Sequence, residues 1–164
     1  MQIRIAGLVP ESFVDGVGIR FAIFMQGCHH HCEGCHNPET HDIYGGKILD
    51  TQDIIAAIKK NPLLNGITLT GGEPLLQIAP ATEIAAAAKN LGLNVWCYTG
   101  FDFENLPDNA NSLLNFVDVL IDGQFIESLR DLDLQFRGSR NQRIIDLNKS
   151  RSLNKIVLWS EFGG

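Results

Sequence analysis

No stretch of this sequence stays apolar long enough to cross a bilayer, which takes about 20 residues, so no membrane span is expected. Basic runs and stripes are also missing. Thirteen lysines and arginines against nineteen aspartates and glutamates give a net charge of −6 and a pI near 5.2. That balance disfavours nucleic acid or an anionic membrane surface as a partner. The opening residues, Met-Gln-Ile-Arg-Ile-Ala-Gly, lack the charged, apolar and small-residue order of an export signal. There is no internal repeat and no low-complexity segment. Cysteine is scarce, with four in all, and only Cys97 lies outside one short loop. Cys97 sits in an apolar stretch and reads as a buried, inert thiol. Reduced, clustered cysteines in such a chain point to the cytoplasm. At 164 residues the chain is read as one domain, 1–164, long enough to bury about 70% of its unfolded surface.

The short loop is Gln26-Gly-Cys28-His-His-His-Cys32-Glu-Gly-Cys35-His-Asn-Pro38, with the spacing C-x3-C-x2-C. A loop this short can turn three soft thiolates toward a common centre. A four-iron cubane usually takes four cysteines, so three leave one iron with an open position. Other readings stand beside this one. A structural zinc site could use the three thiolates with His36 or one of His29, His30 and His31, although no second knuckle exists elsewhere in the chain. A dithiol at Cys32 and Cys35 leaves Cys28 unexplained. Disulfides are the poorest fit for three crowded thiols.

Along the chain, residues 1–9 predict a strand ended by Pro10, and Asp15-Gly16-Val17-Gly18 a turn. Residues 19–26 are almost wholly apolar, as in a strand buried on both faces, and the cysteine loop follows directly. Thr51 is expected to cap a helix over 52–60 that Asn61-Pro62 stops. A strand over 67–70 leads into Gly71-Gly72-Glu73-Pro74, and a helix is predicted over 79–90. A strand over 95–99 closes at Gly100. A short helix over 109–116 precedes a strand over 117–121 that ends at Asp122-Gly123. Residues 124–140 are polar and irregular, with 125–143 read either as a loop that contacts a partner or as an exposed polar loop, and 142–147 and 155–159 as late strands. Trp96 and Trp159 fall in strand patterns and are assigned to the core.

Strands alternating with helices give an α/β domain with a mostly parallel sheet. Fewer than eight βα units fit the length, so a full barrel is excluded and a truncated barrel is the natural form. Ligands of parallel sheets gather at the carboxyl ends of strands. The cysteine loop, Gly71 to Pro74, Thr99-Gly100 and Asp122 all follow strands and are expected to share one rim. Each also has a plainer reading: a turn for Gly-Gly-Glu-Pro, and a cap for Thr99 or Asp122. His29 to His31 read as a solvated loop, and His36 as a packing or hydrogen-bonding neighbour of sulfur.

With these residues assembled, the chain resembles the radical S-adenosylmethionine (SAM) enzymes. More narrowly, it is similar to the family of activating proteins of the anaerobic ribonucleoside-triphosphate reductase. The carrying segments are Asp15 to Phe21, Cys28 to Pro38, Gly71 to Pro74, Tyr98 to Gly100, Asp118 to Gly123 and Asn141 to Asp146. Val17 stands where that family usually has proline.

The resemblance implies a partial βα barrel and a [4Fe–4S] cluster on Cys28, Cys32 and Cys35. SAM would chelate the open iron and be cleaved to a 5′-deoxyadenosyl radical, which makes a glycyl radical on the reductase. Gly71, Gly72 and Glu73 would approach the SAM amino group, and Thr99 and Asp122 would lie near the cofactor. Asp15 to Arg20 would line the SAM cavity or help position the partner's glycine loop, a tight turn with Arg20 on a carboxylate being the alternative. The resemblance also implies an external electron donor of flavodoxin or ferredoxin type. A homodimer and a stable complex with the reductase are both left open, as are another glycyl-radical enzyme as target and a non-catalytic zinc module.

Overall fold

The computed structural model describes residues 1–161. Seven strands form one sheet: β1 (Gln2–Ser12), β2 (Arg20–Met25), β3 (Lys47–Asp50), β4 (Gly66–Gly71), β5 (Asn94–Tyr98), β6 (Val119–Asp122) and β7 (Arg143–Asp146). Their order is β3-β1-β2-β4-β5-β6-β7. The four central strands, β2, β4, β5 and β6, run parallel, as the alternation of strands and helices predicts. Both flanks are antiparallel, so the sheet is mixed. Among the described residues no helix is long and apolar enough to cross a membrane.

Strict alternation along the central strands divides the molecule in two. Phe21, Ile23 and Met25 of β2, Ile67 and Leu69 of β4, Val95 and Cys97 of β5 and Leu120 of β6 share one apolar core. Three helices supply the other half of that core: α1 (Thr51–Lys59) through Ile54, Ile55 and Ile58, α2 (Ile78–Asn90) through Ala81, Ile84, Ala85 and Ala88, and α3 (Ala110–Leu114). The intervening residues face the other way, into loops. There Trp96, Val119 and Ile121 meet Tyr98, Phe136, Ile144 and Trp159. Trp96 is fully buried, whereas Trp159 is only partly buried and packs on it edge to face, with ring centres 5.4 Å apart.

The same face buries Arg20, whose guanidinium stands 5.3 Å from the centre of the Trp96 ring. It donates to Thr68 Oγ1 and to the carbonyls of Val17, Ile67 and Asn94 rather than to a carboxylate. Burial draws its pKa down to about 10.

Several expectations change. β1 runs through Pro10, because the register shifts between Val9 and Ser12 and the missing N–H falls where the ladder is interrupted. The α1 cap is Asp50, which accepts from the Gln52 N–H at 2.8 Å. Thr51 instead donates to Glu83 and ties α1 to α2. β3 and α4 (Leu147–Leu153) are additional elements. Residues 155–159 contribute a single bridge, Ile145 to Leu158, in place of a strand.

Candidate functional site

β2 ends at Met25, and the next residues are clamped before the first cysteine. Gly27 N–H donates to Thr40 O at 2.7 Å, and Cys28 N–H to His41 O at 3.3 Å. Gln26, nearly fully buried, donates through Nε2 to Glu39 O and Asp42 O. The loop from 28 to 41 therefore leaves and returns at one point at the carboxyl end of β2. Next to it, in register with Met25, lies Gly71. A side chain at Gly71 would stand 2.5 Å from Met25 N, and one at Gly72 2.3 Å from Gly27 O. These two glycines let the β4 exit and the cysteine loop pack backbone to backbone, with Gly72 N–H on Met25 O and Glu73 N–H on Gly27 O, both at 2.8 Å.

The strand ends surround a cavity of about 560 Å³, within the usual range for small-molecule sites. Cys28, Cys32, Cys35, Gly71, Gly72 and Thr99 all line it. All four cysteines are free, and Cys97 is fully buried on the helix-packed face. Burial pushes the Cys28 and Cys32 thiols above their ordinary pKa, so taking up a metal would release protons from them. Cys35 Sγ accepts the backbone N–H of Asn37 at 3.4 Å. Among the described residues no three His, Cys, Asp or Glu side chains are grouped closely enough to hold a metal ion.

Glu73 and Asp122 lie beneath the rim, each 1% exposed and outside the cavity lining. Glu73 Oε1 receives Thr99 Oγ1 at 2.5 Å, Gly100 N–H at 3.1 Å and His30 Nε2 at 3.0 Å. One buried carboxylate thus joins the β4 exit, the β5 exit and the cysteine loop, and its donors meet the requirement that a buried charge be bonded. Asp122 is held by Arg143, at 3.1 and 2.5 Å, and by the Phe103 N–H at 2.8 Å. Arg143 also forks onto Glu104, and the two carboxylates hold its pKa above the ordinary value. Of Asp15 to Arg20, Asp15 lines the cavity and Arg20 does not.

Sequence reasoning missed several members of the site. His30, read as solvated, is partly buried, its side chain 11% exposed and packed against Phe101 with ring centres 4.7 Å apart, and it borders a second cavity of about 320 Å³. Phe125, Phe136, Arg137, Gly138 and Gln142 come from the stretch read as exposed polar loop and its edge, yet they form one wall of the main cavity. His41 lines it as well. The usable signal was Phe125 and Phe136, aromatics placed within an otherwise polar segment. His36 lies in the lining with its ring 5.1 Å from Phe125.

A family model described as a 4Fe-4S single cluster domain matches residues 14–145. The chain is 33% identical over 147 residues to the anaerobic ribonucleoside-triphosphate reductase-activating protein of Vibrio cholerae, a match covering 82% of this chain and 92% of that protein. It is 34% identical over 143 residues to the protein of the same name from Haemophilus influenzae, with 82% and 92% covered. With that of Enterobacteria phage T4 it shares 35% identity over 144 residues, with 84% and 90% covered. The chemistry of the cavity agrees with the family description: the three free thiol residues Cys28, Cys32 and Cys35 all line it. From its three-thiol loop to the far edge of its sheet, this chain belongs to the 4Fe-4S single cluster domain family and, within it, to the anaerobic ribonucleoside-triphosphate reductase-activating proteins.

Proposed function

We propose that the chain, acting as one domain over 1–164, is a radical SAM activase that generates the glycyl radical of an anaerobic ribonucleoside-triphosphate reductase. One observation carries the reading. Cys28, Cys32 and Cys35 line a single cavity at the carboxyl ends of parallel strands, and relatives matched over 82% of this chain and 92% of their own length bear the activating name. The three thiols would hold a [4Fe–4S] cluster with one iron left open. A cubane presents its irons at separate corners, so its ligands need not converge as the tetrahedral ligands of zinc must. When bound, the reduced cluster would supply one electron to the sulfonium of SAM, so that its S–C5′ bond breaks to methionine and a carbon radical able to take a hydrogen atom from glycine.

The chain's own residues build the surroundings. Gly71 and Gly72 keep the wall beside the thiols free of side chains, which suits approach of the SAM amino group to backbone carbonyls. Glu73 positions Thr99, Gly100 and His30 around that opening. Asp122 and Arg143 fix the opposite rim through Phe103 and Glu104. The parallel centre of the sheet, with helices on one side and loops on the other, supports reading the mixed α/β fold as a partial barrel. Its loop-covered side would admit the partner's glycine segment. An external one-electron donor of flavodoxin or ferredoxin type, and a cytoplasmic setting, complete the reading.

Anaerobically purified protein is expected to be brown, to bleach with dithionite and to cleave SAM to 5′-deoxyadenosine. With the cognate reductase added, electron paramagnetic resonance should show a glycyl doublet. Colourless protein holding only stoichiometric zinc after reconstitution with iron and sulfide would overturn the catalytic reading. SAM cleavage without a doublet would move the target to another glycyl-radical enzyme.

A further inference from the structure

The half of the cysteine loop from Cys32 to His36 carries no aliphatic side chain, and Cys35 N–H closes it on Cys32 O at 3.2 Å. A segment of this kind brings little to a core, so its position must be set by what lies against it. What lies against it is the chain after β6. The Phe125 ring meets the His36 ring edge on, with centres 5.1 Å apart. Gly34, at a φ of 74°, sits under Glu127, and a side chain there would stand 2.9 Å from Glu127 Cδ. Gly138 approaches from the returning strand of the same segment. A side chain at Gly138 would stand 3.0 Å from Phe125 Cδ2 and 3.2 Å from His36 Nε2.

The three sulfurs are also served differently. Cys35 Sγ accepts the Asn37 N–H. At Cys28 burial raises the thiol pKa, and backbone bonds from His30 and His31 oppose it. Those donors belong to the loop itself. At Cys32 burial again raises the pKa, but a backbone hydrogen bond from Phe125 offsets part of the rise. The segment that supplies this bond is tied down in turn. Gln142 Oε1 accepts the N–H of Gly138 and of Ser139, and Gln142 Nε2 donates to Gly123 O. Tyr98 Oη on Phe136 O, at 2.6 Å, fastens its far end to β5.

We propose that residues 125–138 are a clasp that holds the Cys32–His36 half of the loop in place for the iron–sulfur cluster. Phe125 is its positioning residue, acting through its ring on His36 and its backbone N–H on Cys32. The inference rests on the function proposed above for what the loop binds. Cys28 is fixed at the end of β2 by its N–H on His41 O, and the clasp fixes the other two ligands relative to it.

The test follows amide hydrogen exchange by nuclear magnetic resonance in the reduced, metal-free full chain. Phe125→Ala should speed exchange at Cys35 and Asn37 about tenfold, which is about 1.4 kcal/mol of local opening, and leave Trp96 and Cys97 in β5 unchanged. Phe125→Leu, which keeps most of the apolar bulk, should recover part of the protection. Cys32→Ala removes an acceptor and should speed exchange of the Phe125 amide, whereas Cys28→Ala should not. In the full chain reconstituted anaerobically, the reduced-to-oxidised ratio at a fixed potential should fall about threefold in F125A, about 28 mV, because an N–H donor to sulfur favours the reduced form. If F125A does not fold, Gly138→Ala, whose methyl would press on Phe125 and His36, makes the same comparison.

Unchanged exchange at Cys35 and Asn37 would overturn the inference while leaving the activase reading intact. Faster exchange shared equally by β5 would also overturn it, as general loosening of the fold. A wild-type chain that takes up no cluster would overturn the activase reading and, with it, the role given to the clasp.

Discussion

The two faces of the sheet are built on opposite principles. The helix-packed face is a continuous aliphatic core, in which Ile67, Leu69, Ile84, Leu113 and Leu120 are all fully buried and Cys97 is one more apolar contact. The loop-covered face buries polar groups such as Arg20 and Thr68, and the strand exits beside it bury Glu73 and Asp122, each satisfied by named partners. Non-directional packing stabilises the first face. The second depends on directed bonds that fix where three loops end. A cysteine on one face is therefore inert filling, and a cysteine on the other stands in a cavity.

Substituting the cysteines gives the sharpest test of that contrast. Replacing Cys28, Cys32 or Cys35 by alanine should abolish the iron–sulfur absorbance of reconstituted protein, whereas Cys97→Ala should retain it. Loss of the chromophore in the Cys97 variant would break the division between the faces.

Next in size is the helix-packed core. Ile84→Ala removes a fully buried side chain from α2 and should cost about 2–5 kcal/mol in denaturant unfolding, with the cluster spectrum unaltered. A smaller effect, about 1–3 kcal/mol, is expected for Glu73→Gln, which weakens the bonds to Thr99, Gly100 and His30. Glu73→Gln and Thr99→Val should be non-additive in a double-mutant cycle, since one weakens and the other removes the same bond.

The smallest effect depends on pH. Burial alone would raise the Asp118 pKa, but bonds from Asn148, Lys89 and the Val95 N–H outweigh it and hold the native value below the ordinary one. Its stabilisation is therefore full above the unfolded carboxylate range and is lost as pH falls through the native value. The difference in stability between wild type and Asp118→Asn should shrink between about pH 6 and pH 3. A difference that held constant over that range would contradict the assignment.

The helix-packed face was the more legible one. Alternation along residues 67–70 and 95–99, and the isoleucines of α1, carry their burial in their spacing. The rim was legible where a strand runs straight into a motif, as at Cys28, Gly71 and Thr99. β3 was not, because Lys47–Asp50 is a short, largely exposed strand at the sheet edge that pairs with β1 and gives the core only Leu49. Nor was α4, whose Leu147-Asn-Lys-Ser-Arg-Ser-Leu has no apolar stripe and is started by the Asp146 side chain on the Lys149 N–H. The wall from Phe125 to Gln142 was lost for a related reason. Its order comes from distant bonds, such as Tyr98 Oη to Phe136 O and Gln142 Nε2 to Gly123 O, which leave no periodic trace. The glycines at 71 and 72 were read as making room for a ligand. The neighbouring backbone at Met25 and Gly27 is what first requires them.

The most direct test of an iron left open by three sulfur ligands is electron–nuclear double resonance of the reduced protein with SAM labelled in its amino nitrogen and carboxylate. Coupling of both labels to one iron is the predicted result. A cluster showing no coupling to either label, with that iron bound by a side chain of the protein, would contradict it.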